Sequence, residues 1–247
     1  MSDASDVSDR SDRADNQKKM RRFSINKQFK NDVPVTDRVA AVMRMFGLSI
    51  DRLKEHSPRH NCDIVVEEGD IVYITGPSGA GKSVLLREIQ NAISEDERID
   101  IEAIDLPADR AAIDCITQTC PTGQTKSDET LDALRLLSTA GLSDVFCVLT
   151  PPANLSEGQR YRFRLACCLA AGKKFIIADE FCSNLDRITA AVVAYNLRKF
   201  AKRNNVTIIA ASSREDFIED LRPDVLIVKN FSGPAEVAYA VRRVRRV

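Results

Sequence analysis

Gly76-Pro77-Ser78-Gly79-Ala80-Gly81-Lys82-Ser83 fits the phosphate-loop pattern G-x-x-x-x-G-K-[ST] and sits in the context that pattern needs. Ile71-Val72-Tyr73-Ile74-Thr75 ahead of it is a short β-rich run. Ser83-Val84-Leu85-Leu86-Arg87-Glu88-Ile89 behind it carries apolar residues three and four apart, so the spacing predicts strand, loop, helix. Glycines let the backbone curl until successive N–H groups point inward, and a helix N-terminus adds partial positive charge. Lys82 would then reach the β- and γ-phosphates, and Ser83 would offer its hydroxyl to Mg²⁺. A glycine-rich turn that binds nothing would not account for strand, helix, lysine and serine together. Residues Gly76 to Val84 are therefore expected to hold a nucleoside triphosphate.

Working outward, the 247 residues suit one large domain or one domain with a sub-domain, and 44% hydrophobic residues suffice for a sizeable core. Lys+Arg and Asp+Glu each number 36, so no global field favours nucleic acid or a membrane surface. The sequence shows no signal peptide and no apolar run near the roughly 20 residues of a membrane span, so the chain is expected to have no span of its own. Seven scattered cysteines without a C-x-x-C pair suggest a reduced, cytoplasmic protein with no structural metal.

Asp3, Asp6, Asp9, Asp12 and Asp15 recur every third residue among serines, with almost nothing apolar between them. Residues 1–36 are accordingly expected to be a disordered arm, with 37–247 as the folded domain. The basic residues Lys18, Lys19, Arg21, Arg22, Lys27 and Lys30 read as a solvated linker in preference to an arm for an acidic partner. Val39, Val42, Met43 and Phe46 fall at helical spacing within Asp37 to Leu53. Cys62 to Val66 and Ile71 to Thr75 read as a hairpin-like pair, and Ile99 to Ile104 as a further strand. Ser127 to Gly141 reads as an amphipathic helix capped by Ser127, with Leu131, Leu134 and Leu137 as its stripe. Strands at Phe175–Glu180, Val206–Ala211 and Asp224–Lys229 alternate with helices, which implies a mainly parallel sheet covered on both faces.

Two further stretches narrow the chemistry. Phe175-Ile176-Ile177-Ala178-Asp179-Glu180 is an apolar strand ending in two carboxylates. Asp179 is placed to hold Mg²⁺ and Glu180 to polarise an attacking water. Leu155-Ser156-Glu157-Gly158-Gln159 contains a capping box, Ser156-x-x-Gln159, which by itself simply starts a helix. The same bare N–H groups and dipole end would also suit a γ-phosphate.

With GPSGAGKS, LSEGQ, FIIADE and SNLD in this order, the chain resembles the ABC-type ATPases, and LSEGQRYRFRLACCLA resembles that family's signature motif and helix. The resemblance covers roughly residues 62–230. It implies an α/β P-loop NTPase fold with a RecA-like core, a small β sub-domain and a helical arm. It also implies ATP hydrolysis with Mg²⁺ and a dimer in which the P-loop and Asp179–Glu180 of one subunit face the signature of another. In this reading Lys82 and Glu180 are catalytic, and Ser83, Asp179 and Gln118 surround the metal. Leu155, Ser156, Glu157, Gly158 and Gln159 close on the partner's nucleotide, and Asp186 belongs to the D-loop Ser183-Asn184-Leu185-Asp186.

The chain departs from the family pattern in several places. The interval between Lys82 and Leu155 is short, so the helical arm is expected to be reduced. Gln118 is the first choice for the Q-loop glutamine, with Gln124 behind it. The switch histidine is missing; counting from the preceding strand puts Ser213 there, and counting back from Asp224 puts Arg214 there. Arg214 is favoured as the γ-phosphate contact. Phe46 would stack on adenine if the N-terminal segment folds back.

DEFCSNLDR, YNLRKFA and EDLRPDVLIVK also resemble a soluble branch of the family, some members of which are fused to GNAT-type acetyltransferase domains. The short arm and this second likeness favour a soluble ATPase that dimerises with ATP and switches an unknown macromolecular partner. Nucleic acid is a candidate partner through the basic end Val241 to Val247, which reads equally as an edge strand. The alternatives are the ATP-binding subunit of a membrane transporter and a non-hydrolysing, ATP-dependent interaction module.

Overall fold

Apolar strands without alternation must be buried on both faces, and that requirement sets the architecture. The computed structural model describes residues 19–28, 34–55, 59–116, 126–231 and 233–240. In chain order these form β1 (Met20–Gln28), α1 (Asp37–Met45), α2 (Ile50–Glu55), β2 (Arg59–Glu67), β3 (Ile71–Thr75), α3 (Lys82–Asn91) and β4 (Arg98–Asp100). There follow α4 (Ala112–Cys115), α5 (Lys126–Thr139), α6 (Val145–Leu149), α7 (Glu157–Ala170) and β5 (Phe175–Ala178). The remainder comprises α8 (Arg187–Asn204), β6 (Thr207–Ala211), α9 (Ile218–Leu221), β7 (Val225–Val228) and β8 (Glu236–Tyr239).

The main sheet has the order β4-β5-β6-β3-β7-β8, parallel except for the antiparallel edge pair β7–β8. Side chains alternate across it. Ile71, Tyr73, Ile176, Ala178, Ile208 and Ala210 join the cluster beneath α5, α7 and α8. Val72, Ile74, Ile177, Ile209 and Ala211 join α3 and the inner faces of β1 and β2. All five β3 residues are buried, as a central strand covered on both sides requires.

Several expectations are corrected. β2 does not pair with β3; it forms a separate two-stranded antiparallel ribbon with β1, in register from Met20↔Glu67 to Gln28↔Arg59. The folded chain therefore includes residues 20–28, which the sequence reading assigned to a disordered arm. Phe23 and Ile25 are buried against α3, and this apolar alternation between basic residues is what makes the segment a strand. Arg21 and Lys27 belong to no solvated linker: Arg21 bonds Glu97 at 2.7 Å and Lys27 pairs with Glu88 at 3.1 Å. The strand expected over Ile99–Ile104 is only Arg98–Asp100, because Ile101–Ala103 turns into a 3₁₀ helix with Asp100 as its cap. In α5, which begins one residue before Ser127, the buried face is Ala133 and Leu137, while Leu131 and Leu134 point outward. The runs 1–18 and 241–247 and the residues Lys30, Gln118 and Gln124 lie outside the described residues. No helix among the described residues is long and apolar enough to cross a membrane.

Glu97 joins the ribbon to the sheet. Its carboxylate accepts from Lys174 and from Arg21, whose guanidinium also lies 4.9 Å from the Phe175 ring centre. The Lys174 and Arg21 bonds pull its pKa from 4.5 down to about 2. A depressed carboxyl contributes stability that is whole above the unfolded pKa and is lost as pH falls toward the folded one. Glu97→Gln is therefore expected to be less stable than the parent at neutral pH, with the difference closing between pH 4.5 and about 2. Urea melts across that window measure it, and a difference that stays constant with pH would remove the ion pair from the account.

Candidate nucleotide site

The register of the sheet brings the chemistry to one edge. β3, β6 and β5 are neighbours running the same way, with Ile74 opposite Ala211 and Ala178 opposite Ala210. The P-loop, the Ser212–Arg214 turn and the Asp179–Glu180 pair thus leave the carboxyl ends of three consecutive strands, where ligands of open α/β sheets bind.

The P-loop is shaped by what its glycines lack. Gly76 has φ +136°, and a Cβ there would lie 2.0 Å from the Lys229 carbonyl oxygen. Gly81 has φ +93°, and a Cβ there would meet the His60 ring at 2.1 Å. Gly79, at φ +80°, packs beside Phe231. Gly81 is also the left-handed cap of α3 and provides no side chain to satisfy the first-turn N–H groups. Amides of a first helical turn have no partner within the helix and are suited to an anion. Lys82 is buried, and its ammonium donates to the carbonyls of Gly76 and Pro77 at 3.0 Å each, which holds it inside the loop. Pro77 and Ser78 are exposed at the rim, Ala80 is buried, and Ser83 and Val84 are half-buried in the first turn of α3.

β5 delivers Asp179 and Glu180 at its buried end. Asp179 Oδ1 accepts from the Glu180 amide at 3.0 Å, and Glu180 is exposed with φ +45°. Left-handed backbone at a non-glycine residue is costly, and such strain concentrates at functional sites. Cys182 repeats it at φ +54°, held by a bond from its N–H to the buried Tyr161 hydroxyl.

Ser156 caps α7, and its N–H donates to Gln159 Oε1 at 2.9 Å. Leu155 is buried beneath, and Ser156 and Glu157 are exposed. A Cβ on Gly158 would lie 3.1 Å from the Asn184 carbonyl oxygen and 3.2 Å from Leu185, so the signature packs tightly on the D-loop. Arg160, Arg162 and Arg164 are braces within the chain, donating to carbonyls of Ala153, Gly158, Gly141 and Ile104. The Asp186 carboxylate, expected at the nucleotide, caps α8 by accepting from Ile188 and Thr189, which also lowers its pKa.

Arg214 is engaged with protein rather than free at the rim. It makes a two-point bond to Asp216, donates to the Leu185 carbonyl at 3.0 Å, and stacks 4.3 Å from the Phe217 ring centre. Asp216 in turn meets Arg187, just past the D-loop. Ser213 is exposed. Phe46, at the end of α1, is 75% exposed.

Three residues lining the P-loop were not read from the sequence. His60 shares the inward parity of Cys62, Ile64 and Val66, so a polar residue on that face was a legible signal; burial and then the Lys229 ammonium lower its pKa. Lys229 is itself buried, its ammonium donating to Asn230 and Gly233 carbonyls. Phe231 had no signal. A groove of about 1140 Å³ between α5, α7 and α8 shares no residue with the P-loop, Asp179–Glu180 or the signature.

A parallel sheet with a P-loop on its central strand and an acidic pair two strands away defines a P-loop nucleotide-binding protein. The family model described as ABC transporter matches residues 59–183, half of the chain, and the chain belongs to that family as an ATP-binding cassette ATPase. Among curated relatives, the methionine import ATP-binding protein MetN 1 of Oenococcus oeni is 30% identical over 203 residues, covering 72% of this chain and 57% of that protein. MetN of Streptococcus agalactiae is 27% identical over 197 residues, covering 68% and 55%. The chain thus spans little more than half the length of these relatives. In structure it is similar to the ATP-binding cassette MJ0796, solved as a dimer in a post-hydrolysis state bound to ADP and Pi. The TM-score is 0.59 at 20% identity, over 72% of this chain and 89% of that one. A second neighbour, a putative metal-chelate type ABC transporter in an inward-facing conformation, gives 0.56 at 20% identity, over 72% and 76%. At that identity the likeness shows the fold alone. The curated relatives weigh for the transporter alternative and against the soluble switch favoured from sequence. The acetyltransferase-associated likeness finds no support among these matches.

Arg214 yields a discriminating prediction. If it acts by bracing the D-loop, Arg214→Ala and Asp216→Asn should both slow phosphate release about tenfold, which is roughly 1.4 kcal/mol. Ser213→Ala should stay within about twofold on the same scale. Thermal melts of Asp216→Asn should move little, since exposed ion pairs are worth about 0–1 kcal/mol. An unchanged or faster Asp216→Asn beside a slow Arg214→Ala would instead assign the guanidinium to the phosphate.

Proposed function

We propose that the chain is the ATP-binding subunit of a membrane transport complex and hydrolyses ATP in a dimer that encloses the nucleotide. The observation that carries the reading is the convergence of P-loop, switch turn and Asp179–Glu180 on three adjacent strand ends. The names of the relatives, methionine import ATP-binding proteins, support the transport role.

In this reading the amides of Gly79 to Ser83 and the start of α3 bind the phosphates, and Lys82 exchanges its two loop carbonyls for phosphate oxygens. The exchange swaps neutral acceptors for anionic ones, so charge-assisted bonds become ion pairs as well. The Ser83 hydroxyl and the Asp179 carboxylate are hard oxygen donors of the kind Mg²⁺ takes. When bound, the ion would neutralise charge on the phosphates. Glu180, exposed at the end of β5, orients the attacking water and accepts its proton. Leu155 to Gln159 close from a second subunit, because the signature is built against the D-loop of its own chain, whereas the P-loop packs on Lys229, Phe231 and His60.

Glu180→Gln removes the proton acceptor and leaves the phosphate cradle intact. The variant should bind ATP, release phosphate at least 100-fold more slowly (about 2.7 kcal/mol) and convert from monomer to dimer with ATP by light scattering. A variant that stays monomeric at saturating ATP would sink the enclosed-dimer reading. The transport role is checked by affinity purification from detergent-solubilised membranes. A stoichiometric integral membrane protein is expected, and recovery of the chain only from the soluble fraction, without one, would reverse that assignment.

A further inference from the structure

The phosphate site has a direction. β6 and β5, on one side of β3, carry the switch turn and Asp179–Glu180, whereas β7 pairs with β3 on the other side. A nucleotide whose last phosphate faces Asp179–Glu180 leads its ribose and base away from β5, toward the end of β7. The chain leaves β7 there through Lys229, Asn230 and Phe231.

Phe231 lies beside the P-loop. A Cβ at Gly79 would sit 3.8 Å from its ring carbon Cε1, so one edge of the ring meets the loop while 68% of the residue is open. A single exposed phenylalanine needs no explanation by itself. What marks this one is the turn that presents it. The Lys229 ammonium is buried and donates to the carbonyls of Asn230 at 2.7 Å and Gly233 at 3.1 Å, one on either side of Phe231. These bonds offset the cost of burying a charge and tie the two arms of the turn together. The Lys229 N–H donates to the Thr75 carbonyl at the end of β3, and the Ala235 N–H donates to the Asn61 carbonyl of β2. The turn that carries the ring is thus anchored to the strand from which the P-loop springs.

We infer that Phe231 is the platform on which the base of the nucleotide stacks while its phosphates occupy the P-loop. This rests on the nucleotide reading above and adds the base to it. A phenyl ring offers a π-face and no hydrogen-bonding group, so the contact contributes affinity without reading the edge of the base. Because the turn is tied before the ligand arrives, little order has to be imposed when the base docks.

Isothermal titration with ADP and with pyrophosphate separates the base from the phosphates, and neither ligand involves hydrolysis or dimer closure. Phe231→Ala should weaken ADP binding about tenfold, the scale of one base stacked on an aromatic ring. Pyrophosphate binding should stay within about twofold of the parent, since it has nothing to stack. Phe231→Trp should retain ADP affinity. The chain has no tryptophan of its own, so the emission of this variant reports the site directly and should be quenched by ADP but not by pyrophosphate. Unchanged ADP affinity in Phe231→Ala, or tryptophan emission indifferent to bound ADP, overturns the platform while phosphate binding stands. Equal losses for ADP and pyrophosphate would make the ring a prop for the loop and overturn it too. A parent chain that binds neither ligand overturns the nucleotide reading and this inference with it.

Discussion

The carbonyl of Lys229 occupies the space a side chain at Gly76 would need, and the nucleotide site depends on that exclusion. Lys229 is held there by its own N–H, which donates to the Thr75 carbonyl, and by parallel pairing of β7 with β3 through Val228↔Thr75. The P-loop therefore leaves the sheet in one direction only. With Gly76 pinned on one side and Gly81 against His60 on the other, the curl of the loop is set before any phosphate arrives. Preorganised amides bind an anion without the cost of ordering them.

The opposite half of the machinery is joined with equal economy. Gly158 rests on Asn184 and Leu185, the Leu185 carbonyl is held by Arg214, and Phe181 donates from its N–H to the Ala211 carbonyl. Signature, D-loop, switch turn and the residues after Glu180 thus share one set of short contacts. Phe181 and Phe217, edge to face at 6.0 Å, close that set from below. A displacement at any of these segments is felt by the others, since close-packed interiors transmit strain rather than absorb it.

Much of this was legible because it depends on local pattern. Ile71 to Ser83 and Phe175 to Glu180 carry their strands, loop and carboxylates in contiguous residues, and the structure places them as the sequence reading expected. What was not legible depends on distant partners. Nothing local in Met20 to Gln28 shows that Phe23 and Ile25 would find α3, so a charge-rich segment looked like a linker. The pairing of β2 with β1 rather than β3 is likewise a choice among strands. Arg214 was read by counting along the chain, whereas its neighbours Asp216 and Leu185 decide where its guanidinium lies. Asp186 was assigned by motif, while its side chain completes the first turn of α8.

The left-handed residues Glu180 and Cys182 carry a consequence for how this chain can change. Each adopts a conformation that costs an L-residue roughly 1–2 kcal/mol and that glycine adopts freely. At Cys182 the side chain also fills buried space, so glycine would trade strain for a cavity. Glu180 is exposed and offers no such compensation, so glycine there relieves strain while deleting the carboxylate. On the role proposed for Glu180, a selection for thermal robustness alone would drift toward inactivity at that position. On that same role, position 180 is a place where durability and catalysis pull in opposite directions.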